Sequence, residues 1–337
     1  MESRIIGTLE VSAIGLGCMN MSGGYGRGDD VTSSRLLHMA LDLGYQFLDT
    51  ATMYGGGHNE TLIGNTLKKR RNEYVLASKC GLFRDNHGNK AIDGRPETIR
   101  RQCEASLKRL QTDVIDLYYL HRLDKNVPVE ESVGELGRLA EEGKIREIGL
   151  SEVSSDTLTR ANKVHRIGAV QSEYSLWSRT PETKMLATCE ALGIAFVPFS
   201  PLGRQFLTGK AQDLTHFSQN DIRRTNASPR FEPKAFAENS KLLKPFGEIT
   251  QELKCTMAQL AIAWLLEQKN STGNKSLIPI PGTKHIEYMK ENAGAASIRL
   301  SEDVLEKLNA LINEQTVIGT RYNADLMASI DSEKDRH

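Results

Sequence analysis

Short apolar runs that stop on a polar residue recur along the chain, separated by stretches of helical periodicity. Phe47-Leu48-Asp49 ends on an acid and leads into a loop that presents Tyr54. Tyr74 to Lys79 ends on a lysine, Asp116 to His121 on a histidine and Glu147 to Ser151 on a serine. Strands buried on both faces of a parallel sheet show such continuous runs rather than alternation. Ala13 to Gly17, Ala169 to Gln171, Ile194 to Phe199 and Leu277 to Ile280 bring the set of candidate strands to eight.

The intervening stretches carry helix signals. Ser33 or Ser34 caps a helix running to Leu43, with Gly44 as its stop. Asn59 caps a second, with Leu62, Ile63 and Leu67 on one face. Pro96 opens a third that reaches Leu110. Pro128 starts a fourth, closed by Gly143. Ser154 or Ser155 caps a fifth that runs to His165, and Pro181 opens a sixth ending near Gly193. Thr256 to Gln268 reads as an amphipathic helix, and Ile286 to Ala293 follows the last strand. Outside this alternation, Arg4 to Ser12 reads as a hairpin turning near Gly7-Thr8 or Leu9-Glu10. Gly81 to Gly94 reads as a polar loop. Gly203 to Lys254 lacks periodicity and reads as a functional loop with short helices, or a lid. Ser301 to Ile312 is an extra helix, opened by a capping-box sequence, and the tail from Asn313 reads as loose.

Alternating strands and helices imply parallel strands with right-handed crossovers. Eight pairs close into a (β/α)8 TIM barrel, here with an N-terminal β-hairpin and an extra C-terminal helix, one domain over 1–337. The alternative is an open doubly wound sheet. In a barrel, the polar strand ends meet at one mouth.

Composition narrows the class. Length, at 337 residues, fits a barrel of ~250 residues with insertions. Lys plus Arg and Asp plus Glu are equal at 43 each, so nothing favours nucleic acid or an anionic membrane as partner. Five scattered cysteines with no C-x-x-C pair argue against a disulfide framework or a zinc site. They fit reduced thiols in a cytoplasmic protein, and Cys80 reads as a buried structural thiol. The N-terminus lacks a signal-peptide core, and no apolar run approaches the ~20 residues of a membrane span.

Several nucleotide and hydrolase signatures are absent. Gly15-Leu16-Gly17-Cys18-Met19-Asn20 and Gly55-Gly56-Gly57-His58-Asn59-Glu60 both break the G-x-G-x-x-G fingerprint at its last glycine. There is no P-loop, no G-x-S-x-G elbow and no H-x-H pair, so a metal-dependent barrel is disfavoured. What remains is the set at the strand ends. A tyrosine of pKa ~10 is a weak acid at neutral pH. A neighbouring ammonium lowers that value, and a buried ammonium needs a carboxylate. A histidine can donate to a carbonyl oxygen. Asp49, Tyr54, Lys79 and His121 supply one of each, suited to protonating a carbonyl oxygen as hydride reaches its carbon.

The stretches 47–55, 57–60, 77–79 and 116–122 resemble those of the aldo-keto reductase superfamily. So do Gly-Lys-Ile-Arg-Glu-Ile-Gly-Leu-Ser (143–151), Gln-Ser-Glu-Tyr-Ser (171–175), Pro-Phe-Ser-Pro-Leu-Gly (198–203) and Ile-Pro-Gly-Thr (280–283). The resemblance runs in order along nearly the whole chain. It implies a (β/α)8 barrel that reduces aldehydes or ketones with NADP(H), with no metal, using Asp49, Tyr54, Lys79 and His121 as catalytic tetrad. It also implies a cofactor site. Gly17 and Met19 are among its cofactor-binding residues. Ser151 and Gln171 hold the nicotinamide carboxamide, and Phe199 stacks on the ring. Ser200, Leu202 and Gly203 line the pyrophosphate. Gly282, Thr283 and Lys284 meet the 2′-phosphate, and Asn292 lies near the adenine. Tyr25, Met53, Phe83 and Trp177 are the candidates for the substrate pocket. Two positions depart from the family pattern. Glu152 stands where Asn is common, and either turns away or meets the carboxamide nitrogen. Tyr288 stands where an arginine often clamps the 2′-phosphate, leaving Lys284 as the cation. Relatives that serve as regulatory subunits of potassium channels keep a second reading open, cofactor binding with little turnover.

Overall fold

The computed structural model describes residues 1–336 apart from 27, 86, 87, 212–214, 216, 218, 220, 272, 274 and 275. It opens with a hairpin, β1 (Ser3–Ile6) and β2 (Leu9–Ser12), that turns at Gly7 with φ of 58°. Seven parallel strands then form one sheet: β3 (Leu16–Gly17), β4 (Phe47–Asp49), β5 (Val75–Cys80), β8 (Ile115–Leu120), β9 (Ile145–Ser151), β10 (Ala169–Glu173) and β11 (Ala195–Phe199), neighbours in that order. Within the stretch read as the polar loop 81–94, β6 (Leu82–Arg84) and β7 (Lys90–Ile92) pair as a second hairpin.

The eighth segment closes the ring without a full ladder. Ile278 and Ile280 donate to Phe196 and Pro198 of β11, both at 3.1 Å. On the other side, Gly15 and Gly17 donate to the carbonyls of Pro279 and Pro281 at 3.0 and 3.3 Å. Proline has no N–H, so Pro279 and Pro281 accept from the β3 side and return nothing. The contact there is tight. A Cβ on Gly17 would meet the Ile280 carbonyl oxygen at 2.8 Å, and one on Gly282 would meet that of Gly17 at 2.9 Å.

Helices flank the strands: α1 (Asp30–Asp42), α2 (His58–Leu67), α3 (Pro96–Leu110), α4 (Val129–Glu141), α5 (Ser155–Val164) and α6 (Met185–Leu192). Then come α7 (Pro233–Ser240), α8 (Leu243–Leu253), α9 (Met257–Glu267), α10 (Ile286–Gly294), α11 (Glu302–Leu311) and α12 (Ala324–Ser329). Two cores result. Between strands and helices, Leu36, Ile63, Ile99, Leu136 and Leu260 belong to one large buried cluster. Inside the barrel, Phe47, Ala77, Leu117, Tyr119, Val197 and Ile278 meet Ile6, Leu9 and Val11 of the hairpin, which plugs the end away from the functional loops.

Several sequence expectations need correction. The first helix is capped by Asp29, whose carboxylate accepts from Thr32 N at 2.7 Å, rather than by Ser33 or Ser34. Asn59 lies inside α2 and caps nothing. Its amide is buried, accepting from Thr50 at 2.6 Å and donating to the Cys18 carbonyl at 2.9 Å and Ser22 at 2.8 Å. Segment 203–254 contains α7 and α8. Helix α9 is buried almost all round, from Leu260 through Glu267, so it has no polar face. At α11, Ser301 receives Val304 N, which is half of a capping box. The largest departure is the tail, which is docked rather than loose. Asp331 accepts from Ser154 N at 2.8 Å, and Asp335 accepts from Ser155 N and Oγ. Both carboxylates sit at the N-terminus of α5, where unpaired N–H groups and the helix dipole favour negative charge.

Packing inside the ring sets a first prediction. A Cβ on Gly149 would lie 2.2 Å from the Tyr119 ring, which is fully buried. Overpacking of this kind costs about 1–3 kcal/mol. Gly149→Ala is expected to lower the melting temperature by several degrees, and an unchanged melt would show that the ring moves aside freely.

Candidate active site

The ends of β4 and β5 bring Asp49 and Lys79 together. Pairing sets Asp49 beside Ala77, two residues before Lys79, and both side chains reach the barrel interior. Lys79 Nζ donates to Asp49 Oδ1 at 2.5 Å, to the Thr50 carbonyl at 2.8 Å and to the Tyr54 hydroxyl at 3.2 Å. All three ammonium protons are thus engaged in a site where Lys79 is fully buried. Asp49 Oδ2 accepts from Gln171 Nε2 at 2.8 Å, so the carboxylate is fixed from the opposite side of the barrel. His121 sits edge-on to Tyr54, ring centres 5.9 Å apart.

Burial governs the charges. It works against the Lys79 ammonium, but Asp49 and Tyr54 together outweigh it and hold the lysine above its ordinary value. Burial also pushes the Tyr54 phenol above the ordinary tyrosine value, and the opposing effect of Lys79 does not overcome it. This corrects the expectation of a lowered phenol pKa. The ammonium limits the rise, and the phenol keeps its proton at neutral pH. His121 is held well below its ordinary value by burial, then by Arg122 and Lys79, so its ring is neutral. Its Nδ1 is buried with no hydrogen-bond partner among the described residues. The group can therefore offer a phenolic proton, stabilise the phenolate left behind, and steer an oxygen with a neutral imidazole.

Asp49, Tyr54 and His121 line a cavity of about 480 Å³, with Lys79 behind them. Gly17, Met19, Ser151, Gln171, Phe199, Ser200, Leu202, Gly282, Thr283, Lys284 and Asn292 line the same cavity. Gly203 does not; its α-carbon faces the Trp177 ring. Of the four substrate candidates, Tyr25 lines the cavity, while Met53 and Phe83 do not border it. Trp177 is corrected outright. It is 1% exposed, stacked on Phe206 at 3.9 Å with Phe231 edge-on at 5.5 Å. An indole of that size fills the core beneath the loop instead of facing a ligand.

Glu152 turns away from the cavity. It adopts φ of 55°, and its carboxylate meets Arg321 twice, Oε1 to Nη1 at 2.9 Å and Oε2 to Nη2 at 2.6 Å. Ser332 Oγ and Glu173 N complete its shell at 2.6 and 2.9 Å. Arg321 is the residue that the sequence hid most completely, since a single arginine in a polar tail carries no signal of burial. Arg122, Arg204, Lys210, Arg223, Glu291 and Tyr322 also line the cavity without having been singled out. Only Arg122 had a local cue, its place directly after the strand-ending His121. Its Nη1 donates to the His121 carbonyl at 2.7 Å and to Ser151 Oγ at 3.2 Å.

The family model described as "Aldo/keto reductase family" matches residues 13–313. A probable aldo-keto reductase of Glycine max is 40% identical over 315 residues, covering 93% of this chain and 89% of its own. An aldo-keto reductase of Schizosaccharomyces pombe, named with NADP(+), is 39% identical over 328 residues, covering 96% and 94%. Among solved structures, a glycerol dehydrogenase of Gluconobacter oxydans has a TM-score of 0.83 at 26% identity, covering 98% of this chain and 96% of its own. An aldo/keto reductase of Klebsiella pneumoniae, solved with NADP and acetate, has a TM-score of 0.71 at 26% identity, covering 95% and 97%.

Proposed function

Since the chain belongs to the aldo/keto reductase family, we propose that it is an NADP(H)-dependent oxidoreductase that reduces an aldehyde or ketone to an alcohol, with Tyr54 as general acid. The observation that carries this reading is the ammonium of Lys79, bonded at once to Asp49 and to the Tyr54 hydroxyl at the cavity floor. NADPH, when bound, supplies the hydride.

The cavity wall suits that cofactor. Asn292 Oδ1 is buried there with no partner among the described residues, an acceptor fitted to an adenine amino group. Gly17 and Gly282 offer bare backbone, and Lys210 and Lys284 bring positive charge. Gln171 has given its amide nitrogen to Asp49, so its carbonyl oxygen is left to accept from the carboxamide. Ser151 accepts from Arg122, which leaves its hydroxyl proton for the carboxamide oxygen. Phe199 would stack on the nicotinamide ring, Ser200 and Leu202 would line the pyrophosphate, and Thr283 and Lys284 would meet the 2′-phosphate.

In this reading the substrate oxygen sits between the Tyr54 hydroxyl and the His121 ring. Tyr54 transfers its proton to that oxygen as the carbon is reduced. Lys79 stabilises the resulting phenolate, and Asp49 keeps Lys79 charged. A panel of aldehydes and ketones followed by loss of NADPH absorbance tests the activity. Tight NADPH binding with no turnover on any of them would move the reading to a cofactor-binding regulatory subunit.

Cofactor choice gives a further prediction. Lys284 Nζ is tethered at the cavity wall by the Tyr25 carbonyl at 3.2 Å. Lys284→Ala is expected to weaken NADPH binding about tenfold, the scale of one charge-assisted contact, and to leave NADH binding unchanged. Calorimetric titration with both cofactors checks this; equal losses for the two would remove Lys284 from 2′-phosphate recognition.

A further inference from the structure

The C-terminal segment builds one corner of the cavity, and that corner gathers buried arginines and carboxylates. Arg204 donates Nη2 to Glu173 at 2.6 Å. Arg321 spans Glu152 and Glu173 and reaches Glu333 through Nε at 2.6 Å. Arg336 takes the other oxygen of Glu333 at 2.6 Å. Arg230, 6% exposed, donates to neutral acceptors, the carbonyls of Gly319 and Trp177 and the Ser178 hydroxyl. Asp335 lines a small pocket with Glu152, Glu173 and Arg321, so the corner is not short of carboxylates; what it leaves open is a donor.

The open donor lies at the cavity side. Arg204 lines the cavity and is 4% exposed, yet its Nη1 has no hydrogen-bond partner among the described residues. Its guanidinium lies 4.6 Å from the centre of the Tyr322 ring, with Arg321 at 5.2 Å from the same ring. Tyr25 borders the same cavity, with Arg223 at 5.0 Å from its ring. Arg223 is already neutralised by Asp221 at 2.6 Å. Both oxygens of Glu173 are engaged, by Ser178 at 3.0 Å and by the two arginines. The corner offers donors and charge, and its own carboxylate is spoken for.

We propose that this corner is a subsite for an anionic oxygen group, anchored by Arg204, and that the carbonyl substrates of the enzyme carry a carboxylate remote from the reacting carbon. The inference rests on the reductase reading above for the word substrate; the subsite itself does not. A planar guanidinium matches a carboxylate in a way that a lysine does not. The tail, through Arg321 and Tyr322, holds Arg204 in place and so shapes what the site accepts.

The test compares 4-carboxybenzaldehyde with its neutral methyl ester. Wild-type enzyme is expected to prefer the acid about tenfold or more in kcat/KM, and Arg204→Met to lose that preference. The Kd for NADPH, measured by calorimetry, is expected to stay within about twofold. Arg204→Lys keeps the charge beside Glu173 and guards against misfolding; it is expected to retain part of the preference. In parallel, 4-(hydroxymethyl)benzoate is titrated into the wild-type and Arg204→Met complexes with NADP+. Saturable binding lost in the variant supports the subsite even if neither aldehyde turns over, an outcome that would instead sink the reductase reading. Equal kcat/KM for the two aldehydes together with no carboxylate binding overturns the proposal. So does a large loss of NADPH affinity in Arg204→Met with the substrate preference intact, because the anion met by Arg204 would then be a cofactor phosphate.

Discussion

Tyr54→Phe is expected to reduce carbonyl turnover about 100-fold or more, the scale of a lost general acid, with NADPH affinity nearly unchanged. The substitution removes one hydroxyl and leaves the ring, its edge contact with His121 and the Lys79–Asp49 pair in place. The wild-type pH profile carries the same logic. Tyr54 titrates above its ordinary value and His121 well below its own. The rate of reduction is therefore expected to stay flat between about pH 6 and 9, without the limb near 6.5 of an ordinary histidine. It should fall only in strong alkali, where the phenol loses the proton it must donate. Turnover in Tyr54→Phe within a few-fold of wild type would take the acid role from this residue. A histidine limb in the profile would instead mean that the His121 ring is wetter than its surroundings imply.

Arg321→Met is expected to destabilise the protein by about 3–5 kcal/mol, the cost of breaking a buried ion pair from one side. Methionine preserves much of the volume, so the loss reports charge. Glu152 and Glu173, 1% and 2% exposed, would keep their carboxylates with one cation fewer between them. The acid limb supplies the sign. Burial alone would raise Glu152, but Arg321, Arg122 and the Ser332 hydroxyl together outweigh it and hold the carboxyl at about 2, below the ordinary 4.5. A depressed carboxyl contributes stability that is complete above pH 4.5 and is lost as pH falls through about 2. Wild-type stability, measured by denaturant titration at a series of pH values, should decline across that window. The decline should be much shallower in Arg321→Met, where the stabilising partner is gone at every pH. A wild-type-like melt in the variant would show that the tail is held mainly by Asp331, Asp335 and α5.

Local patterns revealed much of this protein. Continuous apolar runs ending on Asp49, Lys79, His121 and Ser151 placed those residues at strand ends, because period and burial are written into neighbouring positions. Pro96 opens α3 and Leu110 ends it, as their types imply. The closing segment at Leu277 to Ile280 was also legible, although Pro279 and Pro281 withhold the donors that would make it a regular strand. Residues whose partners are far along the chain were not legible. Asn59 has the type of a cap, yet it binds Thr50, Cys18 and Ser22. Trp177 has the type of a ligand platform, yet it packs on Phe206.

Residue order alone specifies the alternation of strands and helices, and with it the ring that gathers an acid, a phenol, an ammonium and an imidazole at one mouth. Those features depend on residue type and spacing over a few turns of chain. The sign of the Tyr54 shift, the orientation of Glu152 and the docking of residues 313–336 emerge only in the folded chain. Each is set by how much water is excluded and which charge arrives from afar. The Glu152–Arg321 bond joins positions 169 residues apart, and no local pattern encodes such a pairing. It forms because two charges shut out of water are stable only when they meet.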